Sequence, residues 1–380
     1  MESKLEQIGM DAIRLVRCAL HGQRLQQGIN SDPEELYTFC EFHSITAMAA
    51  MALETLQKEE PSEQIRKFQQ ARARAMRKSI LLNAEREQIL RHLEEIGCWY
   101  MPLKGSLLQY DYPQFGMRQM GDNDILIDPA GQEKVHEFFC GRGYEVKSYQ
   151  MMVVNNYHKA PVYNFEMHTA LFGLESPKEF REYYSDVEAR LIPDEGKRYG
   201  RHFSREDFYI YMIAHAWKHA RHGGIGIRFL ADIWVYLRKY REQLNWEYVG
   251  GELEKLGAGE FERGCRQLAG KLFDSPDGEA ELSAGEQETL RQFMTAGAYG
   301  TLERKMTNRL NEETGRGAKL RYMVSRIFPS AETLSLVHPH VMEQRWRVPL
   351  IWIWRLIRAV FVCPRDTVRE IAMLIRKKDR

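Results

Sequence analysis

The chain has 380 residues, 44% hydrophobic and 28% charged, enough apolar material for two or three domains with buried cores. That mixture excludes collagen-like, low-complexity and disordered classes, and a net charge of +1 gives no general attraction to nucleic acid. The charge is uneven, however: residues 345–380 hold ten Lys/Arg and three Asp/Glu, a local +7 that leaves −6 on the remainder.

Leu5, Ile8, Ala12, Leu15 and Leu20 recur at helical spacing, and residues 42–56 read as a second, Ala- and Met-rich helix. A long run opens at Pro61. Ser62 is placed to cap a helix and Gly97 to stop it, with an apolar stripe through Phe68, Ala75, Ile80, Leu82, Ile89, Leu90 and Leu93. The texture changes at Cys98. CWYMPL predicts a buried strand entering a turn at Lys104-Gly105-Ser106 and then a helix, and DILID (124–128) predicts a second strand. A helix over 132–140 follows, then two strands, YEVKSYQMMVV and APVYNFEMHTAL, around a turn at Asn155-Asn156. Together these form a small α/β core. After Leu171 helix returns, strongest over 204–220 and 227–240, with a loop at 273–285.

Cys18, Cys40, Cys98, Cys140, Cys265 and Cys363 are scattered with no C-x-x-C pair, so they read as thiols of a reducing cytosol, most of them buried. The opening MESKLEQIGMDAIRLV lacks the basic-then-apolar order of a signal peptide. The most apolar stretch, 348–363, is shorter than the roughly 20 residues a bilayer requires and is broken by Arg355 and Arg358. A soluble, cytoplasmic protein without a membrane span is expected.

Gly121-Asp122-Asn123-Asp124 sets two carboxylates two residues apart where a strand begins. Side chains alternate along a strand, so both point one way, their Cα atoms roughly 6.6 Å apart. Two such anions repel unless a cation lies between them or one is protonated, and a hard divalent ion fits. Alone, the pair suits a turn or cap at least as well. At Lys104-Gly105-Ser106, a close backbone, a hydroxyl and an ammonium suit a phosphate. Asn164, Glu166 and His168 alternate with Tyr163, Phe165 and Met167, so Glu166 can join the aspartates from a neighbouring strand. A solvated Glu on an edge strand is the competing reading.

Met101-Pro-Leu-Lys-Gly-Ser-Leu-Leu108, Tyr112-Pro113, Met117-Arg-Gln-Met-Gly-Asp-Asn-Asp-Ile-Leu-Ile127 and Phe165-Glu-Met-His-Thr-Ala-Leu171 together resemble the uncharacterised nucleotidyltransferase branch of the DNA polymerase β superfamily. The likeness covers about 130 residues and extends loosely to HAWKH (215–219) and IRFLADI (227–233). Asn123 departs from it, being polar where the family usually has an apolar residue. The resemblance implies an α+β fold: a small mixed-sheet core at 98–200 between an N-terminal helical region, 1–97, and a C-terminal helical domain, 201–380. It implies transfer of a nucleoside monophosphate from an NTP such as ATP to an acceptor hydroxyl, with pyrophosphate released. Asp122, Asp124 and Glu166 would be the catalytic metal ligands for two Mg²⁺ ions, or Mn²⁺ in their stead. Lys104, Gly105, Ser106 and Arg118 would bind the nucleotide. The acceptor is left open among small molecule, protein and tRNA.

Several residues keep two readings. Arg118 could equally pair with an aspartate of its own loop, and His168 could contact substrate or be structural. In HAWKHARH, His215 and His219 share a helix face, but no nearby carboxylate or cysteine supports a metal there. Lys218, His219, Arg228 and Asp232 either face the cleft as substrate contacts or pack helices. The basic C-terminal stretch, with an apolar stripe through Trp346, Leu350, Ile353, Trp354, Ile357 and Phe361, is expected to dock on the acidic body rather than on a membrane, RNA or an acidic partner. Two rival functions stand beside transfer to an unidentified acceptor: a toxin-like transferase acting on tRNA or protein, and a non-catalytic nucleotide-binding or interaction module.

Overall fold

In the computed structural model, which describes residues 2–25, 28–55, 62–276, 280–298, 300, 324, 328–329, 331, 334 and 345–361, four helices precede the sheet, the first three being α1 (Glu2–His21), α2 (Pro33–Phe42) and α3 (Thr46–Glu54). The long helix α4 spans Glu63–Ile96. Ser62 Oγ accepts from the Ile65 N–H, and Gly97 adopts φ 71°, ψ 27°, a left-handed stop that glycine reaches without Cβ strain. Leu82, Glu85, Arg86, Ile89, Leu90 and Leu93 form its buried face. Ile80, expected on that stripe, is 53% exposed. Two residues from Leu82 is about 200° around a helix, so it points outward.

The sheet contains β1 (Tyr100–Pro102), β2 (Asn123–Ile127), β3 (Glu145–Ser148), β4 (Val154–Lys159) and β5 (Tyr163–His168), with α5 (Gly105–Leu108) and α6 (Gln132–Gly141) in the connections. Its order is β1-β2-β5-β4-β3, with β2 and β5 parallel and the other neighbours antiparallel. The fold is therefore α+β with a mixed sheet. One expected turn is absent. Asn155 and Asn156 lie inside β4, and the chain reverses at 160–162. Their amides are satisfied beside the strand: Asn155 Oδ1 accepts from the Gln150 N–H at 2.9 Å, and Asn156 Nδ2 donates to Ser148 Oγ at 2.9 Å.

Every residue of β2 is buried, whereas β5 alternates in character, with Phe165 and Met167 on the core face. Those two, with Ile125, Ile127, Tyr157 and Phe139, pack against Leu82, Ile89 and Leu93 of α4. Each such side chain contributes about 1.5–3 kcal/mol on burial. Asn123 joins this layer by hydrogen bonding: its Oδ1 accepts from Arg86 Nη1 at 2.9 Å and its Nδ2 donates to the Leu82 carbonyl at 3.2 Å. The face of the sheet opposite α4 is thereby left to Asp124, Glu166 and His168.

The edges differ. Along β1, Tyr100 N donates to the Tyr199 carbonyl at 3.1 Å and Tyr100 bridges Gly200. Glu94 holds that segment by accepting from the N–H groups of Arg198, Tyr199 and Gly200. The segment leads into a small hairpin of β6 (Leu191–Pro193) and β7 (Arg201–Phe203), which follows α7 (Lys178–Tyr183) and where no strand was expected. At the other edge, β3 exposes Glu145, Val146 and Lys147 and shifts register between Val146 and Ser148.

Helices α8 (Arg205–His222), α9 (Ile227–Tyr240), α10 (Trp246–Lys255), α11 (Gly259–Phe273) and α12 (Ala284–Ala296) follow. His43, fully buried at the end of α2, ties two of them: Nε2–H donates to the Met294 carbonyl at 3.1 Å, and Nδ1 accepts from the Ile227 N–H at 3.3 Å. Of the cysteines, Cys18, Cys40, Cys98 and Cys265 are buried free thiols, Cys140 is exposed, and Cys363 lies outside the described residues.

Residues 221–223 and 301–380 form a second unit. Its described part holds α13 (Val348–Phe361), where Val348 and Leu334 are buried with Ile351 and Trp352 packed on them. Trp346, Leu350, Ile353 and Trp354, the start of the expected apolar stripe, are exposed, and the basic residues from 362 onward lie outside the described residues. Among the described residues, no helix is long and apolar enough to cross a membrane.

Candidate active site

The parallel register of β2 and β5 sets Asp124 opposite Glu166. Alternation puts His168 on the same face, and single donor atoms of Asp124, Glu166 and His168 lie within 4.8 Å of one another. Lys104 Nζ donates to Asp124 Oδ1 at 2.8 Å, and His168 Nε2 meets the same oxygen at 2.9 Å and Glu166 Oε2 at 3.8 Å. A carboxylate only accepts, so the His168 proton toward Asp124 sits on Nε2. Its buried Nδ1 then faces no partner among the described residues.

Lys104 reaches Asp124 through an unusual backbone. Its φ of 48° and ψ of −120° fall where glycine is favoured, and the Ser106 N–H returns to the Leu103 carbonyl at 3.2 Å, closing a II′-like turn. The Leu103 N–H donates to the Asp124 carbonyl at 2.9 Å, fastening the turn to β2.

Charge is concentrated here. Burial opposes ionisation of Asp124, yet the Lys104 ammonium and the His168 hydrogen bond outweigh it and hold its carboxyl well below the usual range. Burial likewise disfavours the charged Lys104, but Asp124 overcomes it and raises the ammonium. Glu166 is pushed up to about 7 by burial and then by the Asp124 and Asp122 charges. Asp122 is raised by burial and then by Asp124. Lys104, Arg228 and Arg118 offset part of the negative charge at Asp122, but burial and Asp124 outweigh them. Two carboxylates and an imidazole at this spacing fit a divalent cation.

Eleven of the twelve residues expected at the site line one cavity of about 410 Å³: Lys104, Gly105, Arg118, Asp122, Asp124, Glu166, His168, Lys218, His219, Arg228 and Asp232. Ser106 does not; it is 1% exposed and its Oγ donates to the Leu103 carbonyl at 2.5 Å. Arg118 pairs not with its own loop but with Asp232 of α9, at 2.8 and 3.0 Å, and Tyr112 donates to the same carboxylate at 2.7 Å. Asp232 is thus held by Arg118 and Tyr112. On α8, Lys218 Nζ meets Glu175 Oε1 at 3.2 Å, and the Nε2 atoms of His219 and His215 stand 3.2 Å apart. Arg228 donates to the Gln119 carbonyl at 3.4 Å.

A model of the family described as uncharacterised nucleotidyltransferase matches residues 30–274, which hold every residue of the cavity named above. The chain belongs to that family. Nothing among curated proteins matches it, and no solved structure does. Membership supports nucleotidyl transfer as the general chemistry and a nucleotide as a substrate.

In this transferase the cavity also contains Tyr211, which the sequence reading passed over, and His215, which it weighed only for a metal shared with His219. Tyr211, buried, and His215, half-buried, line the cavity from α8, and desolvation drives the His215 imidazole well below its usual range. The signal was present: Tyr211, His215 and His219 recur every four residues, one face of a helix.

Proposed function

We propose that the protein transfers a nucleoside monophosphate from an NTP to an acceptor hydroxyl and releases pyrophosphate, with a divalent metal, Mg²⁺ by preference and Mn²⁺ as a substitute. The observation that carries this reading is the convergence of Asp124, Glu166 and His168 within 4.8 Å beside Lys104. Asp124 and Glu166, with Asp122 on the same cavity wall, would hold the metal, and His168 would complete or orient that set. A bound divalent ion would neutralise triphosphate charge and favour the ionised form of the attacking hydroxyl.

The chain's own groups have separable tasks. Lys104 holds an anionic phosphate oxygen. Glu166 is placed to take the acceptor's proton as its oxygen attacks the α-phosphorus and the bond to the pyrophosphate oxygen breaks. Ser106 and the Arg118–Asp232 pair keep the Lys104 turn in shape. Lys218, His219 and Arg228 line the far wall, where an acceptor would lie. A cavity of about 410 Å³ is within the range of small-molecule pockets, which favours a small acceptor over tRNA or a protein.

The test incubates the protein with each labelled NTP, Mg²⁺ and a metabolite extract, and reads by mass spectrometry which compound gains a nucleotide. Loss of that product with Asp124→Ala supports the reading. A product that persists in the variant removes this site from the reaction.

A further inference from the structure

Buried tyrosines in this fold generally spend their hydroxyls. Tyr100 donates to Glu94, Tyr112 to Asp232, Tyr144 to Glu85 and Tyr209 to Glu262. Tyr211 does not. Tyr211 is 1% exposed, its hydroxyl has no hydrogen-bond partner among the described residues, and the residue opens on the catalytic cavity. Its ring is held by Phe172, Tyr184 and Phe203, with centroids 5.9–6.2 Å away, so the hydroxyl's direction is fixed by packing.

The surroundings define what the hydroxyl awaits. Burial keeps it protonated, and Lys104, Asp124 and Glu166 all lie within its electrostatic reach. Asp124 already accepts from Lys104 and His168. Lys104 carries three N–H donors and spends one on Asp124, so ammonium and phenol both present donors to the same space. Two neighbouring donors call for an acceptor-rich anion.

We propose that the Tyr211 hydroxyl donates a hydrogen bond to a phosphate oxygen of the bound nucleoside triphosphate, next to Lys104. This rests on the function proposed above and adds a substrate contact outside the motifs. The test compares wild type with Tyr211→Phe, measuring melting temperature and, by calorimetry, the binding of Mg²⁺ complexes of the four ribonucleoside α,β-methylene triphosphates and of inorganic tripolyphosphate. Phenylalanine removes only the unpartnered hydroxyl, so the melting temperature should hold or rise. Affinity for the tightest analogue and for tripolyphosphate should each fall about 10-fold, the scale of one lost hydrogen bond to a charged group. Unchanged affinity for tripolyphosphate, or a melting temperature below wild type, overturns the inference and leaves the proposed function standing. A wild-type protein that binds neither probe brings down that function and the inference with it.

Discussion

Arg118 and Asp232, 114 residues apart, meet as a buried two-pronged ion pair that joins the loop before β2 to helix α9. Removing one partner strands a charge in a dry interior, a cost of about 3–5 kcal/mol. Asp232→Ala should therefore lower the urea midpoint strongly at constant denaturant slope. The double replacement Arg118→Met/Asp232→Leu should recover most of the loss, because an apolar pair of similar volume carries no stranded charge. A double variant no better than Asp232→Ala would contradict this role.

Gly105 reports on the same contact. A Cβ built there would stand 2.1 Å from Arg118 Nη1, so Gly105→Ala must push the guanidinium off its seat. A loss of about 1–3 kcal/mol is expected. Combined with Arg118→Ala, the effect should be markedly less than additive in denaturation experiments.

Asn123 is a fully buried polar residue at the start of β2, and it serves α4. Asn123→Leu deprives the buried Arg86 of an acceptor and should cost about 1–3 kcal/mol in thermal or urea denaturation. Mn²⁺ affinity should be unchanged, since Asn123 does not line the cavity.

Acid should loosen the protein through His43. Burial holds this imidazole down at about 4 from the usual 6.5, against the pull of the Met294 carbonyl and with help from the Arg228 charge. The unfolded chain takes up a proton near 6.5 while the folded one refuses it until about 4. The contribution is complete above the higher value and declines as pH falls toward the lower, by on the order of 3 kcal/mol. Urea midpoints between pH 7.5 and 4.5 should trace that decline, and His43→Gln should flatten its share.

His168 touches Asp124 and Glu166 together, so His168→Ala should weaken Mn²⁺ binding by roughly 10–100-fold, as measured by electron paramagnetic resonance titration. An unchanged affinity would remove His168 from the metal's surroundings.

Local pattern carried much of this into view from the residues alone. Ser62 and Gly97 announced α4 because caps act within one helical turn, and the alternation of Phe165 and Met167 with Glu166 and His168 announced the two faces of β5. What stayed hidden depends on distance along the chain. Nothing near Arg118 indicates that its carboxylate comes from α9, and Asn155-Asn156 reads as a turn until Gln150 and Ser148 supply its hydrogen bonds. The β6–β7 hairpin is three residues a side and leaves almost no periodic trace. The Tyr211 hydroxyl was invisible for the same reason, since its significance lies in a missing partner.

The borders of the sheet bear on how the molecule behaves in a crowded solution. Chain 199–200 already occupies the margin beside Tyr100, and the far margin shows Glu145 and Lys147 on a strand kinked out of register. Neither border offers a straight ladder of unpaired amides, so a stray extended chain gains little by adding itself there. This core is built to resist strand-by-strand self-association while its opposite, acid-lined face stays open to small ligands.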